Sequence, residues 1–175
     1  MSSVEASDVA LVVLRASLGI VFLAHGYNHI FGGGKITGTA RWFDGLGMKP
    51  GILHAWFASL TELGAGALLI VGFLTPLACA GIVGTMLVAL ITNHLRNGFF
   101  IFRPGEGYEY VVTLTLTGIG LGGIGAGRIS IDHAIGWFDP AGWIGLAIAA
   151  GAGVIGALGL LVMFWRPQQT ASAAD

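Results

Sequence analysis

Charge is scarce in this sequence, which carries eight Lys and Arg and nine Asp and Glu, so that only 10% of its 175 residues are charged. A soluble globular domain carries about 25%. With 55% hydrophobic residues and a mean hydropathy of +0.83, an ordinary water-soluble domain is excluded. The two signs nearly cancel, at a net −1, and no basic face is available for a nucleic-acid partner. Cysteine is nearly absent: Cys79 stands alone inside an apolar run, which excludes an intramolecular disulfide and any CxxC redox motif. Neither HExxH, a P-loop nor a nucleophile elbow occurs. Gly120-x-Gly122-x-x-Gly125 matches a dinucleotide fingerprint by letter, but it lies within an apolar run with no strand before it. Helix packing accounts for those glycines better than a cofactor does.

What is present is a series of long apolar runs. Five can be read, over Val9 to Ile30, Ile52 to Phe73, Pro76 to His94, Glu109 to Ala126 and Ala141 to Trp165. Each has roughly the 17 to 25 residues that a hydrocarbon layer of about 30 Å demands of a helix. The fourth is the weakest, diluted by Thr113, Thr115, Thr117 and several glycines. Only Leu74 and Thr75 separate the second run from Pro76, so those two helices form a tight antiparallel hairpin with proline at the start of the later one. The 30 glycines suit helices that pack backbone to backbone in lipid, and Ala149, Gly153 and Ala157 form a small-residue stripe on the last run. The expected fold is all-α, a polytopic membrane helix bundle with a four-helix core and a fifth, C-terminal transmembrane helix.

Basic residues orient such a bundle. Lys35, Arg41 and Lys49, then Arg96 and Arg103, then Arg166 fall on one side of a five-span chain, and Arg128 falls in a loop on the other. The positive-inside rule predicts an N-terminus outside and a C-terminus in the cytoplasm of a plasma (inner) membrane protein. Residues 1–8 read as a short extracytoplasmic tail, 134–165 as the additional transmembrane helix and 166–175 as a disordered cytoplasmic tail. The first run resembles a signal peptide only superficially, because His25 and His29 interrupt any small-residue cleavage site. Trp42, Phe43 and Leu46, followed by Gly47-Met48-Lys49-Pro50-Gly51, read as an amphipathic loop lying at the interface.

Polar residues inside such spans mark either function or helix specificity. Glu62 lies near the middle of the second run, where an unpaired carboxylate is costly. Helix lengths counted from the membrane ends bring Arg15 within reach of Glu62, either as a staple between two helices or as a pair that also lines a ligand or proton site. At the cytoplasmic mouth stand His25 and His29, one turn apart on one face, with Asn93, His94 and Asn97, and Glu106 and Glu109. Such groups can hydrogen-bond a quinone carbonyl, relay protons, or simply satisfy backbone carbonyls. No third ligand accompanies the two histidines, so no metal is expected. His25 and His94 are expected to approach one another, with Asn97 and Glu109 closing a polar pocket capped by Phe99 or Tyr108.

The order of Arg15-x-x-x-Gly19-x-x-Phe22-x-x-His25-Gly26, Glu62-Leu63-x-x-Gly66, Gly72-x-x-Thr75, His94-x-x-Asn97-Gly98-Phe99-Phe100, Gly107-Tyr108-Glu109 and Ser130-x-Asp132 resembles that of the DoxX-like small membrane proteins. The resemblance covers about residues 10 to 133 and implies a four-helix membrane core over 9–133, to which the fifth helix is an addition. It also implies function. Some relatives are small subunits of a thiosulfate:quinone oxidoreductase, and others are the membrane part of an assembly with superoxide dismutase and a sulfurtransferase. By that resemblance His25, Glu62, His94 and Glu109 are the site positions.

These readings converge on a membrane subunit of a redox or thiol-stress oxidoreductase assembly that contributes a quinone or proton site. Glu62 and His94 are its candidate catalytic residues, and Arg15, His25, Asn97 and Glu109 its candidate binding residues. Quinone is the expected cofactor, and soluble redox or sulfur-transfer enzymes, membrane lipid and a second copy of the chain are the expected partners. The competing reading is a non-catalytic anchor that recruits soluble enzymes. A small-solute transporter is a weaker third, because no internal repeat with broken helices is visible.

Overall fold

The computed structural model describes residues 4–136 and 140–167. Residues 1–3 of the expected N-terminal tail, and all but the first two residues of the expected C-terminal tail, lie outside the described residues. Its elements are helical throughout: α1 (Ala6–Phe31), α2 (Lys35–Gly45), α3 (Gly51–Val71), α4 (Thr75–Ala89), α5 (Glu109–Ile124), the short α6 (Ile131–Ile135), α7 (Gly142–Ala147) and α8 (Gly153–Phe164). A widened π turn over Leu90–His94 and a 3₁₀ turn over Leu95–Asn97 extend α4, and a second π turn over Ile148–Ala152 joins α7 to α8.

Among the described residues four helices are long and apolar enough to cross a membrane: Ala6–Phe31, Gly51–Val71, Thr75–Asn97 and Gly142–Phe164. The chain is therefore a multi-pass, all-α membrane protein. The fourth of the five expected runs is the one that falls short, since α5 has 16 residues, or about 24 Å of helix. Its outward side chains are apolar like those of its neighbours. Ile20, Leu60, Leu116, Ile155 and Val162 are all more than half exposed, a pattern that water would penalise and lipid tails welcome.

Two clusters of contacts define opposite ends of the bundle. At one end Asp8 accepts the Arg128 N–H at 3.2 Å, and buried Asp132 accepts the N–H groups of Leu74 and Thr75 at 2.9 and 3.1 Å. Asp132 thereby caps α4 from a distant segment, replacing the partners that the first N–H groups of a helix lack. It holds closed the hairpin in which Gly72 and Leu74 both take positive φ. At the other end the Trp165 indole donates to Leu46 O at 3.0 Å and Arg166 N donates to Gly47 O at 2.7 Å, tying the end of α8 to the α2–α3 turn. Lys35, Arg41, Lys49, Arg96, Arg103 and Arg166 gather at this second, basic end.

Glycine contacts set how the helices approach. A Cβ at Gly19 would stand 2.7 Å from Gly66 O, and one at Gly26 would stand 2.9 Å from Ser59 O, so α1 and α3 run antiparallel in backbone contact. The expected stripe on the last helix is buried: Ala149 and Ala157 are 0% and 1% exposed. A Cβ at Gly153 would meet Val83 and the Ala80 carbonyl of α4 within 3 Å, and Gly122 packs on Ala149. Of the segment expected as an amphipathic loop, Trp42 and Phe43 lie in the last turn of α2, with Phe43 buried and Trp42 45% exposed, and residues 46–50 form the turn into α3.

Candidate functional site

A cavity of about 490 Å³ opens at the basic end, and α1, α2, α3, α4, α5 and the 98–108 loop all contribute walls. Its polar lining includes His25, His29, Glu62, Asn93, His94, Glu106 and Tyr110, and its apolar lining includes Trp42, Phe43, Met86 and Ile101. A volume of this size, mostly apolar with a few convergent polar groups, suits a ring-sized ligand. The π turn at the end of α4 contributes Thr92, Asn93 and His94 to the lining, an example of a helix irregularity at the rim of a cavity.

At its floor His29 Nδ1 stands 3.1 Å from Glu62 Oε2, with the two side chains 18% and 4% exposed. The contact is not an aligned hydrogen bond, and among the described residues neither atom has another hydrogen-bond partner. A carboxylate buried to this degree with an open acceptor has room for a hydrogen-bond donor from the cavity. His25 stacks on Tyr110 at 6.2 Å between ring centroids, and both also line a small void with Glu62.

The expected pair between Arg15 and Glu62 is corrected by this geometry. Arg15 is buried, and its guanidinium donates to the carbonyls of Leu69 and Ile129 at 3.4 and 2.5 Å, while Glu62 turns to His29. The glycine contacts align residue 19 with 66 and 26 with 59, which sets Arg15 about eight residues, or roughly 12 Å, from the level of Glu62. Side chains also lean toward the N-terminus of their own helix. On antiparallel α1 and α3 this tilts Arg15 away from Glu62, and tilts Glu62 and His29 toward each other.

His25 and His94 do line one cavity, as the sequence suggested. Asn97 and Glu109 are not among its lining residues; they hold the loop that closes it. Asn97 Nδ2 donates to Gly105 O at 2.6 Å and Glu106 O at 3.1 Å, and Glu109 Oε2 accepts the Ile101 N–H at 3.2 Å. His94 joins this clasp, its Nδ1 lying 2.9 Å from Glu106 O. The expected cap by Phe99 or Tyr108 is also corrected: these rings pack edge to face on each other at 5.6 Å, and Ile101 and Glu106 supply the loop's cavity-facing residues. The reason is local. Positive φ at Gly98, Gly105 and Glu106 folds the loop back through backbone bonds from Tyr108 to Gly98 and from Glu109 to Phe99, which leaves Phe99 half exposed and packs Tyr108 against the core of the bundle.

The sequence places His29 at the mouth and Tyr110 among the aromatic residues of the same level, as interfacial belt or pocket wall, without marking either as a site residue. The spacing of His29 four residues after His25 was the available signal, since it puts both on one helical face. Tyr110 carried no signal separable from its aromatic neighbours. Among the described residues no three His, Cys, Asp or Glu side chains converge as a metal site.

Fold and site together define a small multi-pass helical membrane protein with a polar-floored cavity at its basic end. The DoxX family model matches residues 10–95, and over those residues the chain belongs to the DoxX family. No curated protein and no solved structure matches it. The matched stretch contains Arg15, His25, His29, Glu62 and His94, and it ends before Asn97, Glu109 and Asp132.

Proposed function

We propose that this chain is the membrane subunit of a redox or thiol-stress oxidoreductase assembly, and that its basic-end cavity takes a quinone-like ring and handles the accompanying protons. The observation that carries the reading is the His29–Glu62 contact: two titratable groups 3.1 Å apart, buried at the floor of a 490 Å³ cavity, each with hydrogen-bonding capacity to spare. Intramembrane ionisable residues in such cavities serve proton relays and ligand sites. Glu62 and His29 would exchange a proton with the ring oxygen, His94 and His25 would flank the ring, and Trp42, Phe43 and Tyr110 would give it flat walls. Arg15 supports the fold at the opposite end, and Asn97 and Glu109 act by holding the loop. The chain has no redox centre among its own side chains, so electrons would come from a soluble partner enzyme.

In this reading α5 also crosses the bilayer, its shortness being met by local thinning, which gives five crossings with the N-terminus outside and the basic end in the cytoplasm. Titrating the purified protein in lipid nanodiscs with a short-tailed quinone tests the site: wild type should bind saturably, and Glu62→Gln and His94→Ala should each weaken binding at unchanged helix content. Binding that ignores both substitutions rejects it.

A non-catalytic anchor is the second reading, and one observation favours it. Phe99, Phe100, Ile101 and Phe102 are exposed on the basic-end loop, Phe102 at 80%, a surface that a soluble enzyme could cover. Capture of a soluble enzyme by a chain that binds no quinone would support this reading over the first.

A further inference from the structure

The flank of the bundle holds a second cavity, of about 280 Å³, between α3, α4 and α8. It adjoins the first. Phe43, Ala58, Thr85 and Val88 line both cavities, so a single seam between α3 and α4, with Phe43 of α2 over it, divides them. Ala58 and Thr85 are small side chains, and both are only partly buried although they lie between helices. Ala58 also stands one turn before Glu62 on the same face of α3, so a ring held at the Glu62 floor has the seam beside it.

Beyond the seam the lining suits hydrocarbon. It carries no charged side chain, glycines of α4 and α8 leave its walls smooth, and Phe57 and Leu77, each about half exposed, stand where it meets the lipid-facing surface. The Thr85 hydroxyl donates to Gly81 O at 2.9 Å within its own helix, so it asks nothing of an occupant. His54 is the polar exception: it is buried, and its Nε2 has no hydrogen-bond partner among the described residues. It packs on Phe164 at 5.0 Å, four residues nearer the basic end than Ala58. From Thr85 the α4 lining runs the other way, to Leu77 in the first turn at the Asp132-capped end, about 12 Å at 1.5 Å per residue.

We propose that the ligand of the basic-end cavity is a prenylated quinone whose tail crosses the seam between Ala58 and Thr85, lies in the flank groove and leaves to lipid past Phe57 and Leu77. The inference rests on the quinone reading and names both its substrate class and the side from which the substrate comes, the membrane between α3 and α8. The first cavity is ring-sized with a polar floor, and the second is narrower and apolar, in the order that a polar ring on a hydrocarbon tail requires. Phe43 serves both halves, as a wall of the ring chamber and the roof of the seam.

The test measures binding in lipid nanodiscs of menadione and trimethylbenzoquinone, each bare and bearing a geranyl chain, with probe concentrations expressed per lipid. Lipid is as apolar as the groove, so the tail adds little affinity and the readout is steric. The wild type should bind the bare and the geranylated form of at least one ring. Gly156→Phe, at a position where a Cβ meets no atom within 4 Å, should fill the groove. It should leave the bare ring within about twofold and weaken the geranylated one about tenfold or more, as overpacking a site does. Geranylated binding that ignores Gly156→Phe, or a wild type that takes only bare rings, overturns the proposal and leaves the quinone site standing. A wild type that takes no probe rejects the quinone reading itself, and the proposal with it. A diazirine at the end of the geranyl chain checks the wild type without any substitution, and it decides the matter should both forms weaken alike in the variant. Labelling on α8 around Gly156 that excess bare ring suppresses supports the groove; labelling elsewhere, or labelling there that bare ring does not displace, rejects it.

Discussion

Glu62 reaches His29, and not Arg15, because α1 and α3 are antiparallel and every side chain leans toward the start of its own helix. The contact at 3.1 Å joins the middle of α3 to the last turn of α1, across the cavity floor. A double-mutant cycle between His29→Phe and Glu62→Gln should return a coupling energy of about 0.5–3 kcal/mol in detergent unfolding. The same cycle between Arg15→Leu and Glu62→Gln should be additive within about 0.5 kcal/mol. Coupling found only in the second cycle would refute the register argued from Gly19, Gly26 and Gly66.

Asp132 makes a prediction at the opposite end. Replacing it with Ala removes both acceptors for Leu74 and Thr75 and should cost about 1–2 kcal/mol, with Asn milder because one side-chain oxygen remains. Quinone binding, measured on protein that stays folded, should not change. A loss of binding larger than the loss of stability would show that the cap communicates with the cavity.

Close helix contact at glycine predicts a sharp contrast along α3. A Cβ at Gly66 would stand 2.7 Å from Gly19 O, whereas one at Gly64 meets nothing within 4 Å. Gly66→Leu should lower stability by about 1–3 kcal/mol or more through overpacking, and Gly64→Ala should be neutral or slightly stabilising. Thermal midpoints of the two variants in one detergent decide it.

The loop clasp predicts a dynamic effect. Asn97→Ala deletes the bonds to the carbonyls of Gly105 and Glu106, so amide exchange over residues 98–108 should accelerate while the cores of α1 and α3 stay protected. Ligand dissociation should quicken in the same variant. Uniform acceleration throughout the chain would mean that Asn97 supports the whole fold and not the loop.

Topology is checked by cysteine labelling in intact cells, with Cys79 replaced by Ala. Lys35→Cys and Arg103→Cys should react only after the membrane is opened, and Arg128→Cys should react from outside. Labelling that put Arg103 and Arg128 on the same face would remove α5 as a crossing.

Much of the architecture was legible because lipid imposes simple demands on sequence. Spans α1, α3 and α4 and the last helix stood out as apolar runs, and the tight hairpin at Pro76 followed from its two-residue linker. The interior position of Glu62 followed from the cost of a carboxylate in hydrocarbon. The small residues Ala149, Gly153 and Ala157 announced the face that packs on α4. What failed was depth counting: the Arg15 to Glu62 pair was read from helix ends, yet helix ends do not set register. Asn97 and Glu109 were assigned to the cavity because five spans bring them to the same membrane level as His25 and His94, although positive φ values at Gly98, Gly105 and Glu106 turn their loop so that they brace it.

The sequence by itself determined that this chain lives in a membrane as a helical bundle, that its basic residues gather at one end, and that its few buried polar groups matter, since hydrophobic transfer and the cost of buried charge act on residue type and local order alone. Only the tertiary structure decided which polar groups meet. That depends on where Gly19 touches Gly66, on the tilt of each Cβ and on how one loop closes, and these are relations between distant residues that no local pattern encodes.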